Sequence, residues 1–236
     1  LSPEWQAMLA TAAVEGPEFT AEALALALRA DPQELVGLLS GTLARRYQMV
    51  SVAGLTRVGE RRLARYRFRH HLFQRYLYNR LDEVERARAH EAIGSALERL
   101  YGEHAREAAV ALAWHFAQAG QTAQAVRYAL EAGNQAARLA ANQEALMHLR
   151  RGQELLETLP PSAERDRLEL ALQLAMSGPL RATMSYGAEE LGRVYARARE
   201  LCRRIEAAPE LFMALFGLAA LFCAQAEYPA ALEVLE

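Results

Sequence analysis

A chain of 236 residues holds one large domain or two ordinary ones, and with 52% apolar and 24% charged residues it has ample material for a folded core. All 27 basic residues are arginine, which excludes lysine-dependent chemistry within the chain, from a Schiff base to the lysine of a phosphate-binding loop. The net charge of −2 hides an asymmetry, because the window from Arg45 to Arg80 carries ten arginines against one acid, Glu60. Such a division suits anion binding or docking of one half of a protein on another, and it equally suits a solvated arginine face.

In chain order, Pro3 and Glu4 open a first helix that runs to about Glu15, and Gly16-Pro17 breaks it. A second helix begins at Phe19-Thr20-Ala21-Glu22 with Thr20 as N-cap. Asp31-Pro32, a cap followed by proline in the first turn, starts a third, with Leu35, Leu38, Leu39 and Leu43 on one face. Met49 to Val52 reads as a strand, Ala53 to Arg62 as a hairpin loop around Gly54 and Gly59, and Leu63 to Phe68 as the returning strand. Three helices and a hairpin is the order of a winged helix, which assigns residues 1–81 to a small winged-helix-like domain.

From His70 the pattern is purely helical, with helices expected at 70–81, 84–101, 105–119, 122–139, 142–158, 162–176, 188–206, 209–225 and 228 onward. Breaks are expected at Gly102, Ala119-Gly120, Pro160-Pro161, Ser177-Gly178-Pro179 and Ala208-Pro209, and Ser177 to Gly187 reads as a longer loop. Leu211 to Ala224 is apolar throughout, too short for a membrane span and therefore expected to be buried on all sides. The expected fold class is mainly α: the winged-helix-like domain followed by an α-solenoid of tetratricopeptide-like helix pairs over residues 82–236. Ala125-Val126-Arg127-Tyr128 and Ala145-Leu146-Met147-His148 look alike. Ala113, Gly120 and Ala125 with Tyr128 fall where such a repeat wants small and aromatic residues.

No catalytic motif is found: there is no H-E-x-x-H, no G-x-S-x-G and no Gly-rich phosphate loop. His90, His104, His115 and His148 are scattered and read as packed or solvent-facing, with no metal site expected. Cys202 and Cys223 form no framework, which suits a reducing cytoplasm. The leucine at position 1 and the helical pattern at Glu236 read as an excised fragment, and the last helices are expected to self-associate.

The basic, aromatic stretch from Tyr66 to Tyr78 has three readings. Phe68, Leu72 and Phe73 pack inward while the arginines solubilise; or Arg69 and His70, at a helix N-terminus, meet a phosphate; or the winged helix binds DNA. Against the last, the third helix is mostly apolar, and Arg45, Arg46 and Arg57 would touch only the DNA backbone.

The run Phe68-Arg69-His70-His71-Leu72-Phe73, with Tyr78 and Leu81, resembles the end of the winged helix in STAND signal-transducing ATPases. Ala109 to Gly120 and Ala125 to Tyr128 are similar to the helical region that succeeds the winged helix in the bacterial branch of that family. The resemblance implies an upstream nucleotide-binding domain absent from this chain, with ATP or ADP as the parent protein's cofactor and none in this fragment. It implies that His70, beside Arg69, contacts the ADP phosphate in the closed state, although Arg69 and His71 replace the methionine and aspartate of the plant-receptor motif. It further implies a regulatory, non-catalytic role, with a protein or small effector on the helical repeats. The alternative is a DNA-binding winged-helix transcription regulator with a repeat-type effector domain.

Overall fold

The computed structural model describes residues 1–183, 189–206 and 208–235. It is mainly helical with one small three-stranded sheet, and it divides into two compact units, Leu1–Gln121 and Thr122–Glu236.

The first unit opens with α1 (Pro3–Glu15), where the Ser2 hydroxyl accepts from the Trp5 N–H at 3.3 Å and Pro3 needs no N–H partner. A short strand comes next, β1 (Glu18–Thr20), and then α2 (Ala21–Leu28). The expected helix start at Phe19-Thr20 is corrected here: Phe19 is needed in the sheet, packed on Tyr66 and Phe68 with ring centroids at 5.9 and 5.2 Å. Thr20 holds the N-cap position of α2 but makes no side-chain cap. Its hydroxyl donates instead to Glu15 Oε1 at 2.7 Å.

Helix α3 (Pro32–Leu38) is capped as expected, Asp31 Oδ1 accepting from the N–H groups of Gln33 and Glu34 at 2.8 and 2.9 Å. It continues as a π-helical stretch over Leu39–Arg46, and Leu35, Leu39 and Leu43 are buried while Leu38 is half-buried. The hairpin is longer than expected, β2 (Val50–Val58) pairing with β3 (Arg61–Phe68) around a two-residue turn at Gly59-Glu60. Both glycines suggest a loop, but only Gly59 turns the chain (φ +55°). Gly54 (φ +136°) sits at a β-bulge, where the register shifts between Val52 and Gly54 and the strand goes on. β3 is central, in the order β1-β3-β2, with both pairings antiparallel. This helix–strand–helix–helix–strand–strand order is winged-helix-like. Its core is Leu9, Phe19, Leu24, Leu39, Tyr66 and Phe68 with their neighbours, each such large side chain contributing about 1.5–3 kcal/mol on burial.

Helix α4 (His71–Arg80) packs on α1, and α5 (Glu83–Tyr101) packs on α1 and α2, so this unit continues past residue 81. A capping box starts α5: the Glu85 N–H donates to Asp82 and the Asp82 N–H to Glu85, at 2.7 and 3.0 Å. A 3-10 turn (Gly102–Ala108) leads to α6 (Ala109–Gln118). A Cβ on Gly59 would lie 2.8 Å from His104 Nε2, so the tip of the hairpin is seated on this turn.

In the second unit, α7 (Thr122–Arg138), α8 (Asn142–Glu157), α9 (Ala163–Thr183), α10 (Glu189–Ile205), α11 (Ala208–Ala224) and α12 (Tyr228–Leu235) each pack on the next, and α7 also packs on α9. Ion pairs step across two helices: Arg127 of α7 reaches Glu164 of α9 at 2.5 Å, and Arg150 of α8 reaches Glu190 of α10 at 2.8 Å. Helices that touch both their neighbour and the next but one form a stacked, solenoid-type arrangement. Gly133 faces Leu149 of α8, where a Cβ would lie 2.5 Å from Cγ, and Gly152 faces Leu172 of α9 at 2.9 Å.

The break expected at Ser177-Gly178-Pro179 is also corrected, since α9 runs through it to Thr183. Pro179 removes one backbone hydrogen bond, a cost of about 3 kcal/mol in a helix interior. Burial of Met176, Pro179 and Leu180 offsets that, and the Ser177 and Thr183 hydroxyls donate to the carbonyls of Leu174 and Pro179 at 2.7 and 2.8 Å. The remainder of the expected loop, residues 184–187, lies outside the described residues. α11 is not buried on all sides, because Phe212, Met213 and Phe216 are at least 60% exposed. No described helix is long and apolar enough to cross a membrane.

Candidate functional site

Arg69 and His70 stand at the junction of β3 and α4. The Arg69 N–H donates to the Met49 carbonyl at 3.0 Å, extending the hairpin ladder one step beyond the strand. His70 is the N-cap residue of α4, with extended backbone (φ −128°, ψ 127°), and its side chain makes no capping bond. Both side chains are exposed, and the His70 ring lies edge-on to Phe73 at 5.5 Å. No acid occupies the first turn of α4. Leu72 and Phe73 are 64% and 38% exposed, so of the three residues expected to pack inward only Phe68 does so. The result is an outward-facing basic and aromatic surface at a helix start, where backbone N–H groups and the helix dipole favour an anion.

A second cluster lies in the same unit, and sequence reasoning missed it. His90 of α5 and His115 of α6, scattered in the sequence, are both fully buried and meet Nδ1 to Nδ1 at 3.0 Å. Tyr78 of α4 approaches His90 Nε2 at 3.2 Å, and the Arg86 guanidinium lies over the Tyr78 ring at 4.6 Å. Burial holds both imidazoles neutral, with Arg86 adding to the effect at His90 and His90 at His115: His90 is lowered to about 4 and His115 to about 3. One ring must donate and the other accept, so the two rings are opposite tautomers. The available signal was periodicity: His90 shares a stripe with Ile93 and Leu97, and His115 one with Leu112 and Phe116, all buried.

Beside His115 a cleft of about 450 Å³ opens. Its lining combines Glu15, Glu18, Glu107, Thr20 and Arg65 with Leu97, Tyr101, Val110 and Trp114, so three carboxyl groups face one guanidinium. Glu15 accepts from the Thr20 N–H and hydroxyl at 2.9 and 2.7 Å, and burial nevertheless pushes its carboxyl up to about 7. Glu18 is shared by Arg65 at 3.4 Å and Arg67 at 2.7 Å, and the buried Arg65 Nε has no hydrogen-bond partner.

Among the described residues no group of three or more His, Cys, Asp or Glu side chains is placed to hold a metal ion.

No family model and no solved structure matches the chain. Over 150 residues, 64% of its length, it is 29% identical to an uncharacterized protein of Rhizobium meliloti (strain 1021), and the matched stretch is 15% of that protein. The chain thus spans only a small part of its much longer relative.

Proposed function

We propose that the chain is a regulatory, non-catalytic stretch of a cytoplasmic signal-transducing ATPase of the STAND type. In this reading the winged-helix-like part docks on a nucleotide-binding domain elsewhere in the parent protein, and His70, flanked by Arg69, meets the phosphate of its ADP. The stacked helices then act as tetratricopeptide-like repeats that take up a protein or small effector and bias the docked state. Their pairs begin at Thr122, Ala163 and Ala208, a wider spacing than the roughly 34 residues of the tetratricopeptide repeat.

The observation that carries the reading is the presentation of Arg69 and His70. Both lie in the open at the N-terminus of α4, and neither side chain makes an ion pair or hydrogen bond among the described residues. A histidine in that position with no structural task suits contact with something outside the unit.

The test is ADP retention in the longer parent protein. His70→Ala is expected to release ADP more readily while leaving the fold of the winged-helix-like part unchanged. Equal retention by His70→Ala and the unaltered protein overturns the phosphate role.

A further inference from the structure

We propose that the cavity between helices α9, α10 and α11 binds a small carboxylic acid, whose carboxylate accepts from the Tyr195 hydroxyl and the Arg181 guanidinium and whose apolar body lies over Met213 and Phe216. This rests on the reading above for its role, since it gives the effector of the stacked helices a chemistry, while the binding itself is measured without the parent protein.

The observation that points to a ligand is a buried tyrosine with nothing to bond. Tyr195 of α10 is 5% exposed, and its hydroxyl makes no hydrogen bond among the described residues. A tyrosine buried that deeply ordinarily finds a partner for its O–H, and an unmet donor favours a ligand oxygen. The hydroxyl is not closed off, for it is reached from the cavity of about 340 Å³ that Tyr195 lines. The ring is clamped from the other side: α11 crosses it at Gly217, where an added Cβ would run into Cε1 and Cζ.

Charge selects the ligand. Arg181 of α9 lines the same cavity, is exposed, and makes no ion pair or hydrogen bond among the described residues. No aspartate or glutamate stands among the described lining residues, so the guanidinium charge is uncompensated there. The Ser177 hydroxyl, also on the cavity, donates to the Leu174 carbonyl at 2.7 Å and brings no charge. A guanidinium and a phenol are both donors, and together they favour a carboxylate over a neutral or cationic group. Apolar surface lies beside them: Leu174 is half-buried, and Met213 and Phe216 are 60% and 61% exposed. The volume is in the range of small-molecule sites, which pair apolar walls with a few placed polar groups, and it suits a short-chain acid.

The experiment is a ligand-observed NMR titration of hexanoate with the 236-residue chain at low micromolar concentration, using hexanol and hexylamine as neutral and cationic counterparts. Hexanoate is expected to bind in the millimolar range or tighter, with hexanol about tenfold weaker and hexylamine not binding. Tyr195→Phe keeps the ring against Gly217 and should weaken hexanoate about tenfold. Arg181→Gln, at an exposed position, should bring hexanoate down to the level of hexanol. No hexanoate binding at millimolar concentration, equal binding of hexanoate and hexanol, or unaltered binding by a folded Tyr195→Phe chain overturns the proposal. If Tyr195→Phe does not fold, Arg181→Gln and the comparison with hexanol decide it. ADP retention by His70→Ala is read in the parent protein, so a failure here leaves that test standing, and the reverse holds.

Discussion

His90 and His115 come from helices α5 and α6 and share a hydrogen bond of 3.0 Å between their Nδ1 atoms, with neither ring reached by solvent. The pair fixes how the first unit responds to acid. Both rings stay neutral when folded, while the unfolded chain takes up protons near pH 6.5. Stability is therefore full above pH 6.5 and is lost as pH falls from there toward 4 and then 3, at about 1.4 kcal/mol per pH unit for each proton withheld. Glu15 acts in the opposite sense: its stabilising contribution is present below pH 4.5 and lost between 4.5 and about 7. Urea unfolding from pH 7 down to 4 should show a net decline, and His115→Gln, which keeps a hydrogen-bonding group but cannot titrate, should make that limb shallower by one proton. An unchanged slope in the variant would place the acid sensitivity elsewhere.

The second unit depends on close helix approach at glycine. Adding a methyl at Gly133 forces it to within 2.5 Å of the fully buried Leu149 Cγ, and overpacking of this kind costs about 1–3 kcal/mol. Gly133→Ala should lower the unfolding midpoint of the second unit, whereas Gly41→Ala, with nothing within 4 Å of the added Cβ, should not. Differential hydrogen exchange of the two units separates the effects.

Duplex DNA should bind only weakly, with a steep salt dependence and no sequence preference. The outward residues of α3 and its cap, Asp31, Gln33, Glu34 and Gly37, include two acids and no arginine. The hairpin tip is occupied with His104, and Arg57 Nε donates to the Gly59 carbonyl at 2.9 Å. Fluorescence anisotropy at two salt concentrations with two unrelated duplexes checks this. Tight, salt-resistant or sequence-selective binding would favour a transcription regulator instead.

Phe212, Met213 and Phe216 form an open apolar face on α11, with the two phenyl rings stacked at 6.2 Å. The 236-residue chain should associate as its concentration rises, and Phe212→Ser with Phe216→Ser should reduce this. Sedimentation velocity over a hundredfold concentration range is the measurement, and a strictly monomeric unaltered chain at the top of that range rules the contact out.

How far the sequence could be read depended on whether the deciding physics was local. The Asp31 cap, the Gly16-Pro17 break and the order of helices and hairpin were legible because capping and turn chemistry act within a few residues. Gly54 reads as a turn because a bulge and a turn ask the same freedom of glycine, and only the strand opposite distinguishes them. Pro179 looks like a stop because its compensation comes from burial in the core of the second unit. Arg69 and His70 could be placed at a helix start from sequence, whereas the meeting of His90 with His115, and of Arg65 with Glu18, depends on tertiary packing that periodicity only hints at.

Strand β3 carries hydrogen-bonded partners on both sides, Arg65 lies within it, and His70 comes after it in extended backbone at its end. Five residues of extended chain measure about 17 Å. A strand held in two ladders cannot slip by one position without turning every side chain to the wrong face. It therefore serves as a ruler, keeping the cleft and the exposed histidine at a fixed separation, so that whatever grips one end cannot move without carrying the other.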